Sequence, residues 1–180
     1  SIYKEGGIYV DTDIEMVTTF NHLLKEKAFV GFQGRLEAEK YPLNSAVIGG
    51  EKGNEFILDC IKNTEEKQRL HFNAMGGPPI VSKVLLGYGL KEYKKQRLND
   101  VLLLTAEYFF PFAWNDNYTK ECIKPETICI HWWEDSWGNK QKGIKYLIDS
   151  LNRKLKKLPL LLKNRLKYQL NKKNFYLIDK

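Results

Sequence analysis

Short apolar segments alternate with segments of helical periodicity along the first three quarters of the chain. The apolar segments are rich in β-branched and aromatic residues and predict strands, at 8–10, 28–33, 46–48, 101–105 and 127–131. Apolar side chains at helical spacing predict helices at 54–68 and 79–86, and Gly6 and Gly7 end a helix that covers residues 2–4. This alternation is typical of an α/β sheet fold.

The composition restricts the class of protein. With 43% hydrophobic residues among 180, the chain can bury a real core, which excludes an intrinsically disordered protein. The cysteines, Cys60, Cys122 and Cys129, have neither the spacing of a disulfide framework nor that of a zinc site. A reducing, cytoplasmic location is therefore expected. No apolar run reaches the roughly 20 residues that a membrane-spanning helix needs.

An acidic motif follows the first strand directly. Asp11 and Asp13 come immediately after the apolar residues 8–10. We expect this strand to be buried and the two carboxylates to lie at its carboxyl end, where open α/β sheets bind ligands. Residues i and i+2 of an extended segment point to the same side, so both carboxylates can face one cleft.

Two neighbouring carboxylates repel each other, and a divalent cation removes that repulsion. Mg²⁺ and Mn²⁺ prefer oxygen ligands and keep positions open for phosphate oxygens, such as those of a nucleotide diphosphate. The alternative interpretation of Asp11 and Asp13 is a strand followed by an acidic turn without a site.

Four segments carry a resemblance to a known family. The segment 6–14, Gly-Gly-Ile-Tyr-Val-Asp-Thr-Asp-Ile, resembles the signature of glycosyltransferase family 32. This family includes fungal α-1,6-mannosyltransferases and bacterial capsule and lipopolysaccharide transferases. The segments 44–50, 77–79 and 131–137 resemble further motifs of the family, in the same order and at similar spacing. The resemblance covers residues 2–137.

The resemblance implies a GT-A-like nucleotide-diphospho-sugar transferase fold, Mn²⁺ or Mg²⁺ as cofactor and a UDP- or GDP-sugar as donor. It further implies retention of configuration and a glycan or lipid-linked acceptor in surface polysaccharide biosynthesis. Asp13 would bind the metal directly, Asp11 would contact the donor or the metal's water shell, and His131 would complete the site. Because a nucleotide-binding region precedes the acidic motif in this family, we expect the chain to lack its N-terminal nucleotide-binding part.

Several other residues are candidates for contact with the donor. They match the family's motifs and comprise Gly7, Tyr9, Asn44, Ser45, Gly77, Pro78, Ser136 and Trp137, beside Asp11. Asn44 and Ser45 can equally be ordinary loop residues, and Gly77 and Pro78 can simply start a helix. His131, Trp132 and Trp133 can be core residues instead of site residues. The loop 134–139 contains Gly138 and could close over a donor.

The last part of the chain has a different composition. We divide the protein into a catalytic core at 1–150 and a basic, amphipathic helical tail at 151–180. Residues 153–173 are dominated by Lys, Arg and Leu and contain no acidic residue. The tail can be a solvated helix packed on the domain, or it can touch anionic lipid on the inner face of a membrane. Nucleic-acid binding is not expected, because no recognised module is present.

Two other function classes remain open at this point. A phosphohydrolase with an Asp nucleophile would carry Asp-x-Asp-x-Thr after a strand, but Glu15 stands at the Thr position. A non-catalytic protein that binds membrane surfaces would use only the basic tail and would not need Asp11 or Asp13.

Overall fold

The structure, a computed structural model, describes residues 1–34, 39–69, 77–114, 116, 118–133 and 162. Its helices are α1 (Ile2–Glu5), α2 (Glu55–Arg69) and α3 (Gly77–Gly87), with short 3-10 turns at Asn21–Leu23, Ala106–Tyr108 and Lys120–Cys122. Its strands are β1 (Gly7–Val10), β2 (Ile14–Met16), β3 (Ala28–Phe32), β4 (Leu43–Gly50), β5 (Gln96–Leu98), β6 (Val101–Leu104) and β7 (Cys129–His131).

Five strands form the main sheet, in the order β1-β4-β3-β6-β5. β3 and β6 run parallel, whereas the other neighbours are antiparallel. β2 and β7 form a separate antiparallel ribbon. The predicted α/β class is therefore confirmed as a mixed sheet with helices.

The main sheet is covered on both faces. α2 and α3 pack on one face against Val30, Phe32 and Ile48, while Phe29 and Val47 belong to a second apolar cluster. Successive side chains of a strand point to opposite faces, so β3 needs cover on both sides and all five of its residues are buried. This second cluster carries the ribbon of β2 and β7 and thereby positions the acidic motif.

The first strand is not buried as predicted. β1 is an outer strand of the main sheet within the described residues, where it pairs with β4, and Tyr9 and Val10 are 49% and 40% exposed. Its apolar residues indicate a strand correctly, but they do not reveal whether the strand is central or at an edge.

β4 is longer than the predicted strand 46–48. It begins at Leu43, three residues before the predicted start, and continues through Gly49 and Gly50. Glycine weakens a strand unless another group fills the space beside it, and the Phe29 ring fills the space beside Gly49. β2 and β5 were not predicted, because neither is an apolar segment: Glu15 interrupts β2, and Gln96 and Arg97 begin β5.

Both long helices are confirmed, α2 with a shift of one residue and α3 with an earlier start. Asn54 caps α2: its Oδ1 accepts hydrogen bonds from the backbone N–H of Phe56 and of Ile57, at 3.1 and 3.4 Å. The predicted loop 134–139 and the predicted helical tail 151–180 lie outside the described residues, apart from Leu162. Among the residues described, no helix has the length and apolar character required to cross a membrane.

Candidate metal centre

A tight turn connects β1 to β2 and carries the acidic motif. The backbone N–H of Asp11 donates to the carbonyl of Ala46 at 2.9 Å, which fixes the turn to β4, and the N–H of Ile14 donates back to the carbonyl of Asp11 at 3.2 Å. The segment is therefore turned rather than extended, which corrects the reason for expecting both carboxylates on one side. The side chains of Asp11 and Asp13 nevertheless converge.

The ribbon of β2 and β7 brings His131 to this turn. Ile14 lies opposite His131 in the antiparallel register, and the N–H of Trp132 donates to the carbonyl of Asp13 at 3.1 Å. The His131 Nε2 atom lies 3.2 Å from Asp13 Oδ2, and both side chains are about nine-tenths buried. A carboxylate and an imidazole from distant parts of the sequence therefore lie in contact where both are largely shielded from solvent.

Asp11, Asp13 and His131 together form a possible ligand set. Each offers one ligand atom, and these atoms lie within 4.8 Å of one another. Two carboxylate oxygens and one imidazole nitrogen are donors that divalent cations accept. The buried His131 Nδ1 has no hydrogen-bond partner within the described part of the chain, although buried polar atoms normally have one. The residues therefore fit a divalent cation.

Aromatic rings hold the imidazole of His131. The Phe110 ring meets it edge-on, with centroids 5.7 Å apart, and the Trp133 ring centroid lies 4.3 Å away. The Trp133 indole N–H in turn donates to the carbonyl of Phe112 at 2.9 Å. Trp133 adopts a positive φ of 56°, a conformation that non-glycine residues rarely adopt. Trp132 and Trp133 thus pack around the site, as the core interpretation expected.

Tyr9 is joined to the cluster by a short hydrogen bond. Its hydroxyl donates to Asp11 Oδ1 at 2.6 Å. This bond is the main reason why the pKa of Tyr9 rises to about 12, with burial and the charges of Asp11 and Asp13 adding to it. Tyr9 therefore stays protonated through the physiological range and keeps one oxygen of Asp11 engaged.

Asn44 serves β4 rather than the cluster. Its Nδ2 donates to Gln33 Oε1 at 2.6 Å, and its Oδ1 accepts from the N–H of Ala46 at 2.7 Å. Since Ala46 is also the backbone partner of Asp11, Asn44 supports the strand position to which the acidic turn is bound.

Ser45 and Gly77 meet beside that strand position. A Cβ added at Gly77 would lie 1.8 Å from Ser45 Oγ, so only glycine allows α3 to start this close to β4. Pro78 follows within the first turn of α3. Gly7 pairs with Gly50 at the far end of β1 and is not brought to the cluster. Ser136 and Trp137 lie outside the described residues.

One residue near the centre was missed as a site candidate. Glu15 accepts a hydrogen bond from the Trp132 indole N–H at 3.0 Å. In the sequence Glu15 stands out only as a departure from the phosphohydrolase pattern. No local signal in the sequence identifies it, because its partner Trp132 lies 117 positions further along the chain.

The chain is similar to glycosyltransferases at low identity. It is 29% identical over 160 residues to lactosylceramide 4-alpha-galactosyltransferase of Rattus norvegicus, and 26% identical over 161 residues to that of Homo sapiens. These matches cover 79% and 81% of this chain but 39% and 41% of the relatives, so the chain spans about two fifths of their length. An uncharacterized protein of Arabidopsis thaliana is 27% identical over 114 residues, which cover 62% of this chain and 16% of that protein.

No family model and no solved structure matches the chain significantly. The similarity to named transferases supports the transferase class that the motifs predicted, and the family resemblance in coarse terms. It leaves the sugar, the cofactor and the linkage to proposal.

Proposed function

We propose that this chain forms the metal-binding part of a glycosyltransferase that moves a sugar from a nucleotide-diphosphate donor to a hydroxyl of a glycan or lipid-linked saccharide. The observation that carries this proposal is the convergence of Asp11, Asp13 and His131. Relatives named as galactosyltransferases, although of low identity, make sugar transfer the activity that best accounts for the cluster.

The three residues would have different roles in binding the cofactor, Mn²⁺ or Mg²⁺. Asp13 and His131, which are buried and fixed by the ribbon, would hold the ion. Asp11 is only half-buried and would be the ligand accessible to the donor, with its carboxylate oriented by the hydroxyl of Tyr9. When bound, the cation neutralises charge that develops on the departing diphosphate.

The finer features of the reaction are proposed on the family resemblance. They are a GT-A fold, a UDP- or GDP-sugar donor, a retained anomeric configuration and a role in surface polysaccharide synthesis, including capsule or lipopolysaccharide. The retaining outcome needs no separate general base, because the departing phosphate can accept the proton of the acceptor hydroxyl. Because these relatives are galactosyltransferases by name, UDP-galactose is the first donor to test.

The test is calorimetry of UDP- and GDP-sugars, with and without Mn²⁺, on the full-length protein and on its Asp13→Ala variant. We expect at least one donor to bind only with Mn²⁺, and the variant to lose that binding. Donor binding that depends on neither Mn²⁺ nor Asp13 would contradict the proposal. Release of phosphate from an aryl phosphate that depends on Asp11 would favour the phosphohydrolase.

We further propose that the catalytic core spans 1–150 and that the basic tail, 151–180, makes a peripheral contact with anionic lipid at the inner face of a membrane. The excess of Lys and Arg between 153 and 173 supports this contact. We expect the protein to sediment with phosphatidylglycerol vesicles at low salt and to be released by about 0.5 M salt, as screening requires. Equal sedimentation with phosphatidylcholine vesicles would rule out the electrostatic contact.

A further inference from the structure

The side chain of Trp132 joins the two segments that carry the metal ligands. Trp132 is 1% exposed and lies next to His131 in the chain. A buried indole N–H needs an acceptor, and Glu15 Oε2 provides one at 3.0 Å. The Phe112 and Tyr118 rings pack against the indole, with ring centroids 5.8 and 5.9 Å away, so the donor of this partly buried bond is shielded from solvent. Such an environment strengthens a hydrogen bond to a carboxylate.

This bond lies beside a backbone bond of the same residue. Trp132 donates its backbone N–H to the carbonyl of Asp13 and its indole N–H to the side chain of Glu15. Both acceptors belong to the segment that also carries the Asp13 carboxylate. Trp132 therefore holds this segment at two points, while its neighbour His131 faces the Asp13 side chain at 3.2 Å.

The ribbon itself is too short to hold the ligands unaided. β2 and β7 pair over only three residues each, and a two-stranded ribbon is marginally stable in water. The Glu15–Trp132 bond adds a side-chain tie between the two strands. Loss of this tie would let the separation of Asp13 and His131 vary, and a metal site tolerates little variation in the distance between its ligands.

We propose that Glu15 is a positioning residue of the metal centre, which acts through Trp132 and does not itself bind the ion. This inference rests on the proposed function, because the object positioned is the proposed metal site. Outer partners of metal ligands commonly contribute ten- to a hundredfold to metal affinity. Glu15 would contribute at the lower end of that range, since one residue stands between it and the metal site.

The test measures Mn²⁺ affinity alone, by the electron paramagnetic resonance signal of the free ion, on the 180-residue chain without a donor. We expect Glu15→Ala to raise the Kd about tenfold. Glu15→Gln should recover most of the loss, because the amide oxygen still accepts the indole N–H. Trp132→Phe should raise the Kd to a similar extent. The Kd of the Glu15→Ala/Trp132→Phe double variant should not exceed that of the single variant that binds Mn²⁺ more weakly. The matched control is Glu126→Ala, which removes an exposed carboxylate from the turn that precedes β7. It should leave the Kd unchanged.

Several outcomes would overturn the inference. If Glu15→Ala binds Mn²⁺ like the Glu126→Ala control, even with a lowered melting temperature, Glu15 serves stability alone. If Glu15→Ala weakens binding while Trp132→Phe does not, Glu15 is a direct ligand. Should Trp132→Phe fail to fold, the comparison of Glu15→Ala with Glu15→Gln decides, because a positioning role requires recovery by Gln. If Asp13→Ala also leaves the Kd unchanged, the metal centre itself is wrong and the proposed function fails with it.

Discussion

Replacing Asp13 with Asn is expected to weaken Mn²⁺ binding more than about a hundredfold, because loss of a direct ligand should exceed the ten- to hundredfold cost of losing an outer partner. Without metal, the variant should be as stable as the parent chain within about 1 kcal/mol. The substitution keeps the shape of the side chain and removes a carboxylate that is 9% exposed and close to another carboxylate. Metal affinity and stability should therefore respond differently to the same substitution.

Thermal unfolding with and without Mn²⁺ checks this result. At an Mn²⁺ concentration of 100 Kd, the parent chain should gain about 2.7 kcal/mol of stability, and the Asn variant should gain almost none. Asp116→Asn, which removes a carboxylate of the 113–116 turn, is the matched control and should retain the full gain. An equal gain for Asp13→Asn and the parent would place the ion elsewhere.

The second large effect is expected at Gly49. This residue lies opposite Phe29 on β3, and a Cβ added to it would meet ring atoms of Phe29 at 2.2 and 2.4 Å. The Phe29 ring is 2% exposed and packs against Phe20 and Phe109, so it has little space into which it can move. We expect Gly49→Ala to cost about 3 kcal/mol, as overpacking of a core does.

Differential scanning calorimetry should record this cost as a fall in Tm of about 6–12 °C for a chain of this size. Gly87→Ala is the control, because nothing lies within 4 Å of an added Cβ there, and its Tm should be unchanged or slightly raised. Phe29→Leu in the Gly49→Ala background should cost less than the two separate changes together. A Gly49→Ala variant as stable as the parent would mean that the ring does not cover this glycine.

The sequence predicted best those features that a local pattern determines. The apolar periodicity of residues 54–68 identified α2. The Gly-Pro pair is a local signal as well, and it indicated the start of α3. Only the family resemblance placed His131 with Asp11 and Asp13, since nothing local links a strand-end histidine to an acidic turn. The ligand atoms of the three residues do lie within 4.8 Å of one another in the structure.

The features that sequence reasoning missed depend on distant partners. The residues of β1 are as apolar as those of a central strand, but β1 pairs only with β4 within the described residues and stays half-exposed. Glu15 resembles any surface carboxylate in the sequence, and only the folded ribbon brings the Trp132 indole within hydrogen-bond distance of it. Local composition carries no information about which segment arrives from far along the chain.

The residues of the proposed metal centre lie far apart along the chain, so the ribosome adds Asp11 and Asp13 long before His131. Glu15 and Trp132 are separated by 117 positions, so the ribbon closes a very long loop, and closure of such a loop is slow and entropically unfavourable. While the chain emerges from the ribosome, Asp11 and Asp13 are present long before His131 and Trp132. The three ligands proposed for the cation can therefore come together only after synthesis has passed His131 and Trp132 and the ribbon has formed.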